Sequence, residues 1–228
     1  LKLPEQTAVA GVNGQLVLAG FARGTNVESF DQAKITEDLS HSWYGTSQEP
    51  SHPFQGTTEP LHATEQQQAY SWVKAPRYDG MVAETGPLAE MIVGAHPLFH
   101  DMVARSGPSV LVRQLARLTR PASYFGPMLQ WLDELSVQYD QPFYRKVGKI
   151  PDGQGAGLIQ AARGALGHWV SVRDQKITQY QVITPSAWNG SPRDRLGNRG
   201  AWEAALVGTP ISAPGNPVEA GHVVRSYD

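Results

Sequence analysis

Two neighbouring stretches of contrasting texture set the limits on any fold. Residues 24–85 are broken by Gly24-Thr25-Asn26, Pro50, Pro53, Gly56 and Pro60, with isolated aromatics at Trp43, Tyr44, Phe54, Tyr70, Trp72 and Tyr78. So long an irregular run in a compact domain wraps a larger core or lines an interface, and it predicts partners outside this chain. Residues 86–140 instead carry apolar side chains at helical spacing. Gly86-Pro87 offers a proline for a first helical turn, with Leu88, Met91 and Ile92 on one face. After His96-Pro97, a second piece aligns Leu98, Met102 and Val103 and ends at Gly107. A third carries Leu111, Leu115 and Leu118 before Pro121 interrupts it, and a fourth, Met128 to Tyr139, carries Leu129, Leu132 and Leu135. These stripes read as packing faces and predict a helical bundle.

The flanks predict strands. Val9 and Val12 before Asn13-Gly14, then Leu16 and Leu18, predict a β-hairpin over residues 8–23. His168–Arg173 and Lys176–Ile183 predict two strands joined at Arg173-Asp174-Gln175-Lys176. Gly153-Gln154-Gly155-Ala156-Gly157 reads as a flexible, close-packed approach. It is no phosphate loop, because no Gly-Lys-Ser/Thr follows, and it lacks the βαβ context of a dinucleotide site. A short helix is predicted around Gly200–Val207, with Trp202, Ala205 and Leu206 inward, followed by proline-rich coil. The fold class is therefore α+β, mainly helical, a bundle with peripheral β-hairpins. The organisation is a single domain over 1–228, with a hairpin at 8–23, a loop-rich part at 24–85, a helical part at 86–140 and a further segment at 153–228.

Composition narrows the function. A chain of 228 residues with 40% hydrophobic and 18% charged content can bury a core. A net charge of −2 offers no nucleic-acid surface. No run of roughly 18 apolar residues exists to make a transmembrane helix. Leu1-Lys2-Leu3-Pro4 carries neither an initiator methionine nor a signal pattern, and the end at Asp228 is abrupt. The chain is read as an internal fragment of a longer polypeptide, or else as a processed or trimmed chain. With no cysteine there are no disulfides and no cysteine-ligated zinc, iron–sulfur or nickel within it. Of seven histidines, His96 and His100 stand at i, i+4. Pro97 between them and the lack of a Glu after His96 remove the zincin pattern, leaving helix-capping or surface roles.

One constellation carries chemistry. Arg163, between Ala162 and Gly164, projects from a loop, and Pro185-Ser186 lies 22 residues on, where an intervening hairpin returns the chain. The proline fixes φ and removes a donor, while the serine hydroxyl donates to an anionic ligand. Guanidinium, hydroxyl and backbone N–H are the set that holds small anionic diatomics in a dry pocket.

The blocks Ala162-Arg163-Gly164-Ala165-Leu166-Gly167-His168-Trp169, Tyr180 to Asn189 (Tyr-Gln-Val-Ile-Thr-Pro-Ser-Ala-Trp-Asn), Ser191-Pro192-Arg193-Asp194 and Leu206-Val207-Gly208-Thr209-Pro210 resemble the large subunit of nickel–iron hydrogenases. Tyr70 to Tyr78 and Glu84-Thr85-Gly86-Pro87-Leu88-Ala89 fit the same family, in its order and spacing from about residue 35. In that family the final Ser-Phe/Tyr-Asp is followed by Pro-Cys-x-x-Cys, and another Cys-x-x-Cys lies near the N-terminus. Both are outside this sequence.

The resemblance implies a large-subunit-like helical fold and a nickel–iron centre with CO and CN ligands. It implies that Arg163 sits over the metal bridge and helps polarise hydrogen or accept its proton, oriented by the Asp228 carboxylate. Pro185 and Ser186 would contact the iron's cyanide ligands, and the Val182 carbonyl would face a structural divalent cation such as magnesium. None of these is a ligand of nickel or iron. Ala162 stands where many members have proline, which resembles the cyanobacterial-type uptake and hydrogen-sensing branches. The implied partner is an iron–sulfur small subunit and the implied substrate is H2. Heterolysis needs a Lewis-acidic metal and a nearby base. Free arginine has a pKa above ~12, so a terminal metal thiolate outside this sequence competes with Arg163 for the proton.

The implied function is the catalytic large subunit of an uptake hydrogenase, oxidising H2 and passing electrons to its partner, with these 228 residues inactive and poorly folded alone. The alternatives are a hydrogen-sensing subunit and a quinone-binding respiratory homologue, the latter naturally without metal cysteines. Ile35 to Tyr44 leans towards uptake, while Thr184-Pro185-Ser186-Ala187-Trp188-Asn189 argues against the quinone branch. Residence is either cytoplasmic or at a membrane through partner subunits.

Overall fold

Gly24, at φ 62°, turns the chain between β1 (Phe21–Arg23) and β2 (Asn26–Glu28), an antiparallel pair with Phe21 opposite Glu28. A computed structural model describes residues 16–45, 49–61, 68–144 and 146–228. The first half of the hairpin predicted over 8–23, residues 8–15, lies outside the described residues, and in its second half residues 16–20 form no strand. The pairing instead closes across Gly24, because its left-handed φ makes the tight reversal there.

Strand β3 (Ile35–Asp38) pairs antiparallel with β4 (Ala75–Tyr78), which sets Asp38 opposite Ala75 and so brings together positions 37 apart in the chain. All four residues of β4 are buried. Ile35 and Tyr78 join Trp169, Ile183 and Trp188 in one apolar cluster, against which Phe21, Phe30 and Phe54 pack. Several scattered aromatics of the loop-rich part thus line this chain's own core.

Helix α1 (Pro87–Val93) starts with proline, as does α2 (Pro97–Ser106), which ends against Gly107 at φ 70°. His96 stands at the N-cap position of α2 without a side-chain cap bond, and the His100 ring Nε2 lies 2.7 Å from the Ile92 carbonyl. Helix α3 (Val110–Val137) is capped by Ser109, whose hydroxyl accepts from Val112 N at 3.3 Å. Leu88, Met91, Ile92, Phe99, Val112 and Ala116 form a second cluster where the three helices meet.

Two helical expectations are corrected. Pro121 and Pro127 lie inside α3 rather than ending it. Each removes one N–H from the ladder, but its fixed φ is already helical, and the turns on either side carry the helix past it. Most of the apolar stripe of α3 also faces outward, except Leu115, which packs against the second cluster. Leu118 is 77% exposed, and Leu111, Leu129, Leu132 and Leu135 are exposed with it, while Val112, Arg113 and Ala116 are buried. Among the described residues, α3 is the one long helix. The architecture of the described residues is mixed α/β rather than mainly helical, with these three helices packed about one cluster. Among the same residues, no helix is long and apolar enough to cross a membrane.

The sheet that shifts this balance is an antiparallel meander of β5 (Gly153–Ala161), β6 (Gly164–Arg173) and β7 (Lys176–Ile183). The two strands read from the sequence are here, turning at Asp174 and Gln175, both with positive φ. The glycine-rich segment is their third strand. Its alternation of Gly155 and Gly157 with Ala156 and Leu158 hides the pattern, since glycine carries no side chain to reveal which face it occupies. Gly167 has a packing reason. A Cβ there would stand 2.2 Å from the indole of Trp169, which folds back across it and is 1% exposed. Three short helices follow: α4 (Pro185–Asn189), α5 (Ala201–Leu206) and α6 (Val218–Ser226). The coil expected beyond residue 207 runs to residue 217, and α6 then follows it and delivers the last two residues.

Candidate functional site

The β5–β6 connection is two residues long, Ala162-Arg163, between the paired Ala161 and Gly164. Such a short link holds the Arg163 backbone against both strands while its side chain projects freely. Arg163 Nε donates to Asp228 Oδ1, joining residues 65 apart. Both side chains remain open, 57% and 62% exposed. An ion pair this exposed adds little to folding. Its place at the meeting of two chain segments is what makes it a candidate site.

A buried hydrogen-bond chain assembles that meeting point. Thr85 Oγ1 accepts from Ala165 N at 2.7 Å, fixing the start of β6. Thr85 N donates to Asn189 Oδ1, and Asn189 Nδ2 donates to Thr85 O, both at 2.9 Å. The same Nδ2 reaches Tyr227 O at 3.5 Å. One threonine and one asparagine thus tie together the Arg163 strand, α4 and the residue before Asp228. Replacing Thr85 with valine keeps the shape but removes the acceptor of Ala165 N. We expect a loss of about 0.5–1.5 kcal/mol, read as a lowered urea midpoint at unchanged slope.

Pro185 and Ser186 form the first turn of α4, whose cap is Thr184, with Thr184 Oγ1 accepting from Ala187 N at 3.1 Å. Pro185 is buried and Ser186 is exposed. They connect to the Arg163 turn through Asn189 and Thr85. Val182 lies in β7 opposite His168 of β6.

Arginines of α3 brace the site from behind, and the sequence reading passed over them. Arg113 grips Glu84 with Nε and Nη2, at 2.6 and 2.8 Å, and its guanidinium stacks 3.9 Å over the Tyr227 ring. Burial above all, then the Glu84 charge, pushes the Tyr227 hydroxyl up to about 12, with Arg113 pulling the other way. Arg117 Nη2 donates to Ser226 O at 3.3 Å. Arg120 Nη1 donates to Ala162 O at 2.6 Å. The available signal was spacing, for positions 113, 117 and 120 share one helix face.

A second polar centre fixes the Ser191-Pro192-Arg193-Asp194 block. Arg77, from β4, donates to Asp194 Oδ2 at 2.8 Å and Ser191 Oγ at 3.2 Å. It also donates to the carbonyls of Pro76, Pro192 and Asn198, between 2.9 and 3.2 Å. Burial raises the Asp194 carboxyl, but hydrogen bonds from Arg77 and Asn198 outweigh it and leave the group below the usual carboxylate range. Nearby, Lys74 Nζ meets Glu37 Oε2 at 2.6 Å. Burial holds Glu37 above its ordinary value despite that lysine.

Among the described residues, no three His, Asp or Glu side chains are grouped to hold a metal. A nickel–iron centre takes soft thiolates, and these 228 residues contain no cysteine. The groups present, an open guanidinium and an open hydroxyl, suit the outer surroundings of anionic metal ligands instead.

Comparison with known proteins adds a lineage to this geometry. The family model described as nickel-dependent hydrogenase matches residues 4–228. The hydrogenase-1 large chain of Citrobacter freundii is 34% identical, over 94% of this chain and 42% of its own. The uptake hydrogenase large subunit of Bradyrhizobium diazoefficiens is 31% identical, over 100% of this chain and 43% of its own. The H2-activated [NiFeSe]-hydrogenase of Dm. baculatum superposes with a TM-score of 0.82 at 32% identity, covering 93% of this chain and 46% of that one. The chain spans less than half the length of these relatives.

Proposed function

Since the chain belongs to the nickel-dependent hydrogenase family, we propose that its residues form the outer wall of a hydrogen-activating site in the catalytic large subunit of an uptake hydrogenase. The observation that carries the reading is the exposed Arg163–Asp228 pair, set where the β5–β6 turn meets the end of α6. The name of the Bradyrhizobium relative, an uptake hydrogenase large subunit, supports the uptake role. We take residues 1–228 as part of one domain.

When bound, a nickel–iron centre with CO and CN ligands supplies the Lewis acidity that polarises H2. This chain's own residues do the orienting. Asp228 accepts from Arg163 Nε and so fixes the plane of the guanidinium, leaving its remaining N–H donors to face the reacting side. Ser186, exposed on the first turn of α4, offers a hydroxyl donor to cyanide nitrogen, and Pro185 beside it supplies a dry surface. The Val182 main chain is assigned to a magnesium ion. Electrons pass to an iron–sulfur small subunit.

The test is Arg163→Lys in the full-length protein assembled with its partner. A lysine keeps the charge but loses the planar fork. We expect hydrogen oxidation with an artificial acceptor to fall about 100-fold at unchanged nickel content. A native rate removes Arg163 from the mechanism. A wild-type enzyme that turns over only very slowly with that acceptor points to hydrogen sensing in place of uptake.

A further inference from the structure

We propose that Arg120 is the positioning residue for Arg163, holding its turn through the two carbonyls that precede it. This rests on the role of Arg163 given above. Arg120 Nη1 donates to Ala162 O at 2.6 Å and Nη2 to Ala161 O at 3.4 Å. Its Nε stands 2.9 Å from Glu90 Oε2. Arg120 thus presents one rigid guanidinium to two successive carbonyls on one side and a buried carboxylate on the other.

The carboxylate is fixed in turn. Tyr124 OH donates to Glu90 Oε2 at 2.9 Å, and Gln160 Nε2 donates to Glu90 Oε1 at 2.5 Å. Gln160 belongs to β5, two residues before Ala162. The contacts therefore close a ring, from β5 through Glu90 of α1 and Arg120 of α3 back to the turn that ends β5. A two-residue turn fastened in this way cannot tilt without breaking a charge-assisted bond.

The other half of the pair is held from the same helix. Arg117 donates to the carbonyl of Ser226, two residues before Asp228. The groups facing one another here are Arg117, Arg120, Arg163, Glu90 and Asp228. Burial above all lowers the Arg117 pKa, and the Asp228 charge opposes that while Arg120 and Arg163 reinforce it. Arg117 therefore feels both members of the pair.

The experiment is a double-mutant cycle in the assembled, metal-loaded enzyme, read by kcat and by amide hydrogen exchange. Arg120→Gln is expected to lower kcat about tenfold with KM for H2 unchanged. Exchange at the Arg163 and Gly164 amides should rise about tenfold, with Trp169 unaffected. In an Arg163→Lys background, the same change should alter kcat less than about twofold, because a group acting through Arg163 has nothing left to position. Glu90→Gln, which weakens the anchor of Arg120 with little change of shape, should reproduce the exchange effect if Arg120→Gln fails to assemble. Native kcat and native exchange in Arg120→Gln overturn the proposal, as do effects that multiply fully in the double variant. If Arg163→Lys alone is fully active, the reading of Arg163 falls, and exchange at residues 163 and 164 still decides whether Arg120 holds the turn.

Discussion

Arg77→Met is expected to lower the free energy of unfolding by about 3–5 kcal/mol, the usual cost of leaving a buried charge without its partner. Arg77 is 3% exposed and Asp194 is 4% exposed. Methionine fills a similar volume but donates to none of the five partners of the guanidinium, so Asp194 loses its charge partner and three carbonyls lose a donor. The pH dependence follows from the depressed Asp194 carboxyl. A group whose folded pKa is lowered contributes stability above its unfolded value, about 3.9, and that contribution is lost as pH falls through the folded value. The gap between wild type and variant should therefore be full at neutral pH and narrow below about pH 4. Urea titrations of the two proteins at several pH values measure this. Equal midpoints at pH 7 would show that the Arg77 network contributes nothing net.

Gly164→Ala is expected to be nearly as costly, and it acts at the site itself. Gly164 holds φ at 133°, a conformation L side chains rarely adopt. An added Cβ would stand 2.5 Å from Thr85 Oγ1 and 2.7 Å from Gly86 N. Backbone strain of about 1–3 kcal/mol and overpacking of about 1–3 kcal/mol combine here, giving an expected loss of about 2–6 kcal/mol. Relief requires β6 to withdraw from Thr85, which breaks the bond to Ala165 N and carries Arg163 with it. A crystal structure of the variant should show the Arg163–Asp228 contact lengthened. A variant with wild-type stability and an unmoved Arg163 would refute the account of this close approach.

Particular residues show why some of this was legible in the sequence and some was not. Strands β6 and β7 announced themselves by alternation and by the turn between them, and α1 and α2 by their leading prolines. Strand β5 stayed hidden because glycines occupied alternate positions. Helix α3 was misread because its leucines form the more obvious stripe, while the row that turns inward contains Arg113, Arg117 and Arg120, residues that usually signal solvent. At the site, spacing alone says nothing of a contact between positions 65 apart. The resemblance to the hydrogenase family is what pairs Arg163 with Asp228 at the level of sequence. Thr85 and Asn189 stood inside the family-like blocks, but nothing showed what they do, since they act by bonding the backbone of distant segments, and such bonds leave no periodicity.

Helix α3 reaches one partner of the exposed pair through the carbonyls before Arg163 and the other through the carbonyl of Ser226. Suspending both from one strut has a mechanical effect. When the helix tilts or slides, it displaces guanidinium and carboxylate in the same direction, so their separation changes far less than the position of either. A common support of this kind resembles two instruments bolted to one rail, and the expected consequence is that the Arg163–Asp228 separation varies less than the position of either group.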